Sequence, residues 1–243
     1  MKTQTRKRLN VLIDTYNRVM GVMEHDAAKS MKEDGRAYGG FVRAAKGKMQ
    51  EFISDELVHI AWDVELGKNA KKLSINSEKI RIPIKLEYVQ TIRDRAIRDY
   101  ILSNVQRYYY GLSVDKHVFV DGKMILGIEC KAYTENAMIK RILVDFHLLK
   151  TKVPNLLCYL FQLESQLGGD YSIKAKAPNG SYPTHTLMSY FSDVDLRVVT
   201  LLSGERKVDQ PINKAAHFKL LTMDRLGGAV ESLIEGFQEQ GVA

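Results

Sequence analysis

The segment from residue 112 to 132 restricts the fold of this chain more than any other part of the sequence. The residues before and after it have helical spacing, whereas LSVDKHVFV and MILGIECKAY are rich in β-branched and other apolar residues. The tripeptide DGK between these two runs is typical of a tight turn. The pattern therefore predicts a β-hairpin, which needs a sheet and covering layers to bury its apolar side chains.

Helical periodicity on both sides of the hairpin predicts amphipathic helices. Apolar residues recur at intervals of three and four along 9–23, 42–64, 87–108, 134–146 and 223–237. The three glycines of the segment 34–40 predict a loop between the first two of these helices.

Three further segments have the composition of strands. Residues 75–84 are a short candidate that Pro83 restricts to a sheet edge or a strand end. The apolar runs 155–164 and 196–202 are typical of strands buried on both faces. These elements predict an α/β fold, in which a mixed central β-sheet is flanked by helices and preceded by a helical N-terminal part.

The composition is that of an ordinary globular protein with an excess of positive charge. Lys and Arg number 36 against 29 Asp and Glu, which gives a net charge of +7 and favours a polyanionic partner. The longest apolar run, 156–161, is far shorter than the roughly 20 residues of a membrane-spanning helix, so we expect no membrane association. Two cysteines cannot form a disulfide framework, and we expect a cytoplasmic protein.

Several common catalytic motifs are missing from the sequence. It contains no GxxxxGK[ST] and no GxGxxG after a strand, which argues against a P-loop nucleotidase or a dinucleotide enzyme. It contains no GxSxG, and its six histidines are scattered without the spacing of a zinc site.

The hairpin itself carries one group of polar residues with chemical potential. Asp115 opens its first strand, and Glu129 and Lys131 are two residues apart on the second, so that both point to one face of the sheet. Ile128 and Cys130 then point to the opposite, apolar face. The turn folds Asp115 towards Glu129 and Lys131, although a Glu–Lys ladder on a solvated face is an alternative interpretation.

Two carboxylates and one ammonium group at this position suit metal-assisted hydrolysis of a phosphodiester. Mg²⁺ prefers oxygen ligands and usually takes one or two protein carboxylates. A lysine beside the metal can orient or deprotonate the attacking water. Asp121 is a second aspartate on the hairpin, but it falls in the turn, at the far end from Glu129.

The arrangement VD at 114–115 followed by GIECK at 127–131 resembles the PD-(D/E)xK nuclease superfamily, in the form found in type II restriction endonucleases. The order of elements over 42–164 is similar to the αβββαβ core of that family, with an extra helix inserted. Val114 stands where many members have proline.

The resemblance implies a Mg²⁺-dependent endonuclease that cuts double-stranded DNA at a short specific site and acts as a homodimer. Asp115 and Glu129 would hold the metal together with the carbonyl of Cys130, and Lys131 would position the attacking water. A repair or junction-resolving nuclease on the same core is one alternative, and a non-catalytic DNA-binding protein is another.

The resemblance also implies an acidic residue from the first core helix, often in a GxxxE pattern. Gly47 to Glu51 matches that pattern, so we assign Glu51 a catalytic role. By periodicity, however, Glu51 lies away from the apolar stripe of its helix and Glu56 lies within it, which leaves Glu56 as a rival.

Two regions are candidates for DNA contacts. Arg93 and Arg98 lie on the polar face of the predicted helix 87–108, which is either solvated or turned to phosphates. The polar segment 165–192 also has side chains of the kind that contact bases, although loops are commonly polar. Its candidates are Lys174, Lys176, Asn179, Ser181, Tyr182 and His185.

We expect a single nuclease domain over 1–243. The helical N-terminal part would cover 1–40 and the catalytic core 42–164. The remainder, 165–243, would contain the loop-rich DNA-recognition region, a strand and the C-terminal helix.

Overall fold

The computed structural model of the chain describes residues 1–30, 35–169, 171, 179–207, 209 and 217–242. No helix in these ranges is long and apolar enough to cross a membrane. The α-helices are α1 (Thr3–Ser30), α2 (Gly35–His59), α3 (Leu86–Thr91), α4 (Arg95–Ser103), α5 (Asn136–Lys150), α6 (Tyr182–Ser189) and α7 (Met223–Glu239). The helix α2 continues directly into a π-helical turn, Ile60–Glu65.

The strands form a larger mixed sheet and a separate two-stranded sheet. Their bounds are β1 (Leu73–Asn76), β2 (Ile80–Pro83), β3 (Tyr109–Leu112), β4 (Lys116–Val120), β5 (Lys123–Thr134), β6 (Leu157–Ser165) and β7 (Leu196–Thr200). The larger sheet has the order β1-β4-β5-β6-β7, and β2 pairs with β3. The first three strands are antiparallel, whereas β5, β6 and β7 are parallel. The predicted α/β fold with a mixed sheet is confirmed.

Helices cover both faces of the larger sheet, which explains why β5 and β6 are apolar along most of their length. One core contains residues of α1, α2 and α7, such as Leu12, Leu57 and Leu233, packed with Ile128 of β5. The other core contains residues of α5 such as Phe146, packed with apolar residues of β6. A strand with helices on both sides has no solvated face, so its sequence does not alternate between apolar and polar.

The loop predicted over 34–40 is wrong where the structure describes it. Residues 35–40 are the first turns of α2. Glycine weakens a helix by about 1 kcal/mol relative to alanine but does not forbid one.

The prediction of one long helix over 87–108 is also wrong, because this segment is divided into α3 and α4. Asp94 starts the second helix by accepting a hydrogen bond from Ile97 N at 3.0 Å.

The strand predicted over 75–84 is split between the two sheets. Its first part belongs to β1 and its second part to β2, which Pro83 ends. The chain leaves the larger sheet at Asn76, which pairs with His117 of β4, and returns to β4 after Leu112. Residues 77–112 are therefore an insertion, hereafter the insert, that begins and ends beside the start of β4.

Gly127 sets the approach of α5 to the hairpin. A Cβ atom at this position would lie 2.9 Å from Phe146 Cε1 and 3.5 Å from Val114 Cγ2. We expect Gly127→Ala to lower the free energy of unfolding by about 1–3 kcal/mol, because overpacking displaces the neighbouring side chains. Urea denaturation of both proteins measures this change.

The matched control is Gly227→Ala in α7, where a Cβ atom would meet nothing within 4 Å. That substitution should raise stability by about 0.5–1 kcal/mol through helix propensity. Equal stability of Gly127→Ala and the wild-type protein would contradict the described packing of α5 on β5.

Candidate active site

Asp115 lies directly before β4, and a pair of hydrogen bonds fixes its position. In the turn that carries it, Val114 N donates to the buried ring of His117 at Nε2, over 3.2 Å. Asp115 Oδ2 accepts a hydrogen bond from Cys130 N on β5 at 2.7 Å. This second bond extends the hairpin by one contact and places the Asp115 carboxylate beside the two residues that flank Cys130.

Lys131 Nζ contacts three oxygen atoms of the predicted site. It forms an ion pair with Glu129 Oε1, donates a hydrogen bond to the carbonyl oxygen of Cys130 at 3.2 Å, and lies 3.6 Å from Asp115 Oδ2. The structure thus brings Asp115, Glu129 and Lys131 together, with the ammonium group between the two carboxylates.

Burial and neighbouring charges shift the pKa values of Glu129 and Lys131. Burial raises the pKa of Glu129, which is only 7% exposed, and the Asp115 charge adds to the effect against the opposing charge of Lys131. Burial alone would lower the pKa of Lys131, but the carboxylates of Glu129 and Asp115 outweigh it, so the pKa is raised. The lysine therefore keeps its proton and its positive charge in this site.

The oxygens around Lys131 Nζ form a donor set that fits a hard divalent cation. They come from two carboxylates and one main-chain carbonyl. Among the described residues, no three His, Cys, Asp or Glu side chains are grouped closely enough to hold a metal ion. A cation here would complete its coordination with water, which is the usual pattern of Mg²⁺ in proteins.

The thiol of Cys130 is not part of this donor set. It lies on the opposite face of β5, 3.3 Å from Ser54 Oγ of α2. Burial raises its pKa to about 12, so the thiol stays protonated and is a poor metal ligand. Cys130 can contribute to the site only through its carbonyl.

The helix α2 contributes a second group of charges next to Asp115. Lys116 Nζ forms an ion pair with Asp55 Oδ2 at 2.8 Å and lies 3.8 Å from Glu51 Oε2. Burial alone would lower the pKa of Lys116, but the hydrogen bond to Asp55 outweighs it and the pKa is raised. Glu56 instead binds Arg8 of α1 at 2.7 Å. Of the two rival glutamates, Glu51 is the one that lies near Lys116, the residue that follows Asp115.

Sequence analysis missed Asp55 and Lys116. Both line a cleft of about 450 Å³ that also contains Asp115, His59 and Asn76. One available signal was that Asp55 follows Glu51 by four residues, so both carboxylates lie on the same side of α2. The other was the position of Lys116 immediately after Asp115.

Comparison with known proteins identifies the family. The chain is 64% identical over 239 residues to the type II restriction enzyme DdeI of Desulfomicrobium norvegicum, a match that covers 98% of this chain and 100% of the relative. The chain belongs to the type II restriction enzymes. It is therefore a hydrolase, a site-specific deoxyribonuclease, as the sequence resemblance implied. No family model matches the chain, and no solved structure matches it.

The two arginines predicted to contact DNA lie in the insert of this restriction enzyme and differ in their surroundings. Arg93 is exposed in the link between α3 and α4. Arg98 is half-buried, and its Nη1 donates to the carbonyl oxygen of Ile92 at 3.4 Å. Asp121 lies in the turn between β4 and β5, where it pairs with Lys72 at 3.0 Å.

The candidates of the segment 165–192 divide into four groups. Lys174 and Lys176 lie outside the described residues. Ser181 caps α6, a helix within the segment predicted to be loop-rich, by accepting from Thr184 N. A ring nitrogen of His185 lies 2.8 Å from the carbonyl oxygen of Asn179, whereas Tyr182 is 94% exposed.

The helix α6 of the restriction enzyme is held at the same end of the sheet as Lys131. Thr184 Oγ1 lies 2.7 Å from Asn136 Oδ1 at the start of α5 and 2.7 Å from the carbonyl oxygen of Leu167. The strand β5 ends at Thr134, immediately before α5. The helix α6 and the carboxylates of the site therefore lie at the same end of the sheet.

Replacing Lys131 by Met would leave Glu129 and Asp115 without their shared counterion. We expect the free energy of unfolding at pH 8 to fall by roughly 1–3 kcal/mol, less than for a fully buried pair because Lys131 is partly exposed. The pKa of Glu129 is raised in the folded state, so protonation favours folding, and the deficit should shrink as the pH falls from 8 to 5. Denaturation at both pH values measures it.

Lys72→Met is the control for this change, because it removes an exposed ion pair with Asp121. Its effect should stay within about 0.5 kcal/mol at either pH. A Lys131→Met deficit that is equal at pH 5 and pH 8 would show that the ammonium group does not compensate Glu129.

Proposed function

We propose that this restriction enzyme is a Mg²⁺-dependent nuclease of the PD-(D/E)xK superfamily that cleaves double-stranded DNA at a short specific site. The observation that carries the proposal is that oxygen atoms of Asp115, Glu129 and the Cys130 carbonyl surround one position. Lys131 Nζ occupies that position and contacts all three. Those residues are the ones that match the motif of that superfamily.

In this proposal Asp115, Glu129 and the carbonyl of Cys130 hold Mg²⁺. The metal, when bound, supplies a Lewis acid for the scissile phosphate and lowers the pKa of a coordinated water. Lys131, beside the metal, orients the attacking water. Glu51 of α2 also has a catalytic role in this proposal, and it lies near Lys116.

The proposed path of the DNA follows the edge that carries Asp115. The net charge of +7 favours a polyanion, and the relative that the chain matches is named as a restriction enzyme. The insert begins and ends at this edge, which supports a phosphate contact from Arg93. The helix α6 lies at the same edge, which supports base contacts from Tyr182 and His185, with Ser181 and Asn179 fixing the helix start.

The assembly and location follow from the same proposal. A short palindromic site presents two equal strands, and a homodimer with two-fold symmetry would place one active site on each strand. Both cysteines are free and buried, which supports action in the reducing cytoplasm. Lys174 and Lys176 remain predictions for DNA contacts from the segment before α6.

Substitution of the three motif residues tests the proposed active site. Asp115→Asn, Glu129→Gln and Lys131→Ala should each reduce the single-turnover cleavage rate of plasmid DNA with Mg²⁺ by at least about a thousandfold, since each removes several kcal/mol of transition-state stabilisation. Sequencing of the cut ends should give one short motif.

The matched control is Asp121→Asn, which alters an aspartate of the same hairpin that pairs with Lys72. Its positive φ of 49° is one that asparagine tolerates. The control should cleave within about threefold of the wild-type rate. A Glu129→Gln variant with wild-type activity, or cleavage that persists in EDTA, would refute the proposed metal site.

The salt dependence of DNA binding tests the contact from the insert. With Ca²⁺ in place of Mg²⁺, Arg93→Gln should lower the slope of log affinity against log salt concentration by about 0.9, the value for one phosphate contact. Fluorescence anisotropy at several salt concentrations measures the slope. Arg18→Gln, at an exposed position of α1, is the control and should leave it unchanged. An unchanged slope for Arg93→Gln would show that this arginine is only solvated.

A further inference from the structure

Lys131 begins a row of polar side chains that crosses three parallel strands. It pairs with Gln162 of β6, and Gln162 pairs with Thr200 of β7. Partners at one level of neighbouring strands point to the same face of the sheet. Gln162 is fully buried, and Thr200 is 3% exposed. The row therefore leads from the proposed active site on the central strand β5 to a buried position on the edge strand β7.

The side-chain amide of Gln162 is satisfied at one end only. Its Nε2 donates to Thr200 Oγ1 at 3.0 Å. Its Oε1 is buried and has no hydrogen-bond partner among the described residues. The amide nitrogen is thus used by β7, and the strand on the other side of β6 is β5, which carries Lys131 at the position paired with Gln162. A buried carbonyl oxygen of this kind is available to accept a hydrogen bond from a donor that moves next to it.

Lys131 is the donor that such an oxygen requires. Its ammonium group is held by Glu129 Oε1, the Cys130 carbonyl and, at longer range, Asp115 Oδ2. These are the oxygens that the proposed metal site uses. Two cations cannot share them at contact distance, so the lysine must give up these partners when the carboxylates bind a divalent ion.

We propose that Gln162 is the positioning residue that receives Lys131. When Asp115 and Glu129 bind a divalent cation, Lys131 Nζ turns to Gln162 Oε1 and keeps one fixed acceptor. Neighbouring strands are about 4.8 Å apart, a distance that a lysine side chain spans easily. Gln162 then aims the ammonium group at the attacking water, and Thr200 holds the amide in place. The inference rests on the proposed metal site.

Gln50 of α2 provides a matched control for this role. It is also buried, at 1% exposure, its Nε2 donates to the Phe161 carbonyl at 2.6 Å, and its Oε1 lacks a partner among the described residues. It packs on the opposite face of the sheet from Lys131, so its oxygen cannot receive the ammonium group. Substitution of Gln50 therefore reports the general cost of losing a buried amide.

Calorimetric titration with Mn²⁺ tests the inference without any cleavage reaction. Gln162→Met should weaken Mn²⁺ binding by about tenfold, because Lys131 then competes for the carboxylates with no other acceptor, and a hydrogen bond to a charged group contributes about that factor. In the Lys131→Ala background the same substitution should have no effect, which isolates the coupling between the two residues. Gln50→Met should bind Mn²⁺ as the wild-type protein does.

Two further measurements separate the possible failures. If Glu129→Ala retains wild-type Mn²⁺ affinity, the proposed metal site is refuted. If Glu129→Ala abolishes binding but Gln162→Met does not weaken it, only the role of Gln162 is refuted.

Should Gln162→Met fail to fold, the side-chain amide resonances of the wild-type protein test the role of Gln162 instead. Those of Gln162 should shift on adding Ca²⁺ while those of Gln50 do not, and unshifted Gln162 resonances would overturn the inference.

Discussion

The hydrogen bond from Cys130 N to Asp115 Oδ2 is the contact on which the arrangement of the site depends. Asp115 belongs to no strand, and this bond of 2.7 Å extends the β4–β5 pairing to the residue that precedes β4. Without it the Asp115 carboxylate would lie on a free turn. With it, the two acidic residues of the hairpin take fixed positions around a single ammonium group.

Carboxylates held this close together and partly buried are unfavourable, and a neighbouring lysine compensates their negative charge. Glu129 is almost fully buried, so its charge is tolerated only because Lys131 is beside it. On the other side of β5, Lys116 has the same relation to Asp55 and Glu51 of α2. Each group of carboxylates thus has its own lysine, and the two groups meet at Asp115.

The position of the site at one edge of the molecule follows from strand directions. The strand β5 ends at this edge and β4 starts there, because the two are antiparallel. Both the insert and α6 are attached at the same edge, through Asn76 and through Asn136. A long ligand that reaches the carboxylates would therefore pass the exposed residues of both.

The grouping of Asp115, Glu129 and Lys131 could be predicted from the sequence because a hairpin imposes local rules. Residues two positions apart on a strand point to the same face of the sheet. The tight turn of a hairpin determines which residues of its two strands lie opposite each other. The same local rules gave the mixed α/β fold, because apolar runs and helical periods depend on near neighbours in the chain. The single helix predicted over 87–108 was wrong for the opposite reason. The second helix starts at a capping residue, Asp94, and hydrophobic periodicity does not reveal a cap.

Only the tertiary structure decided which side chains from distant segments join the hairpin. It placed Glu51 and Asp55 beside Lys116 and turned Glu56 to Arg8, a choice set by the packing of α2 between the sheet and α1. It also placed Gln162 next to Lys131 through the parallel register of β5 and β6. Parallel register depends on how a helix crosses between the strands, and no short-range pattern in the sequence specifies it.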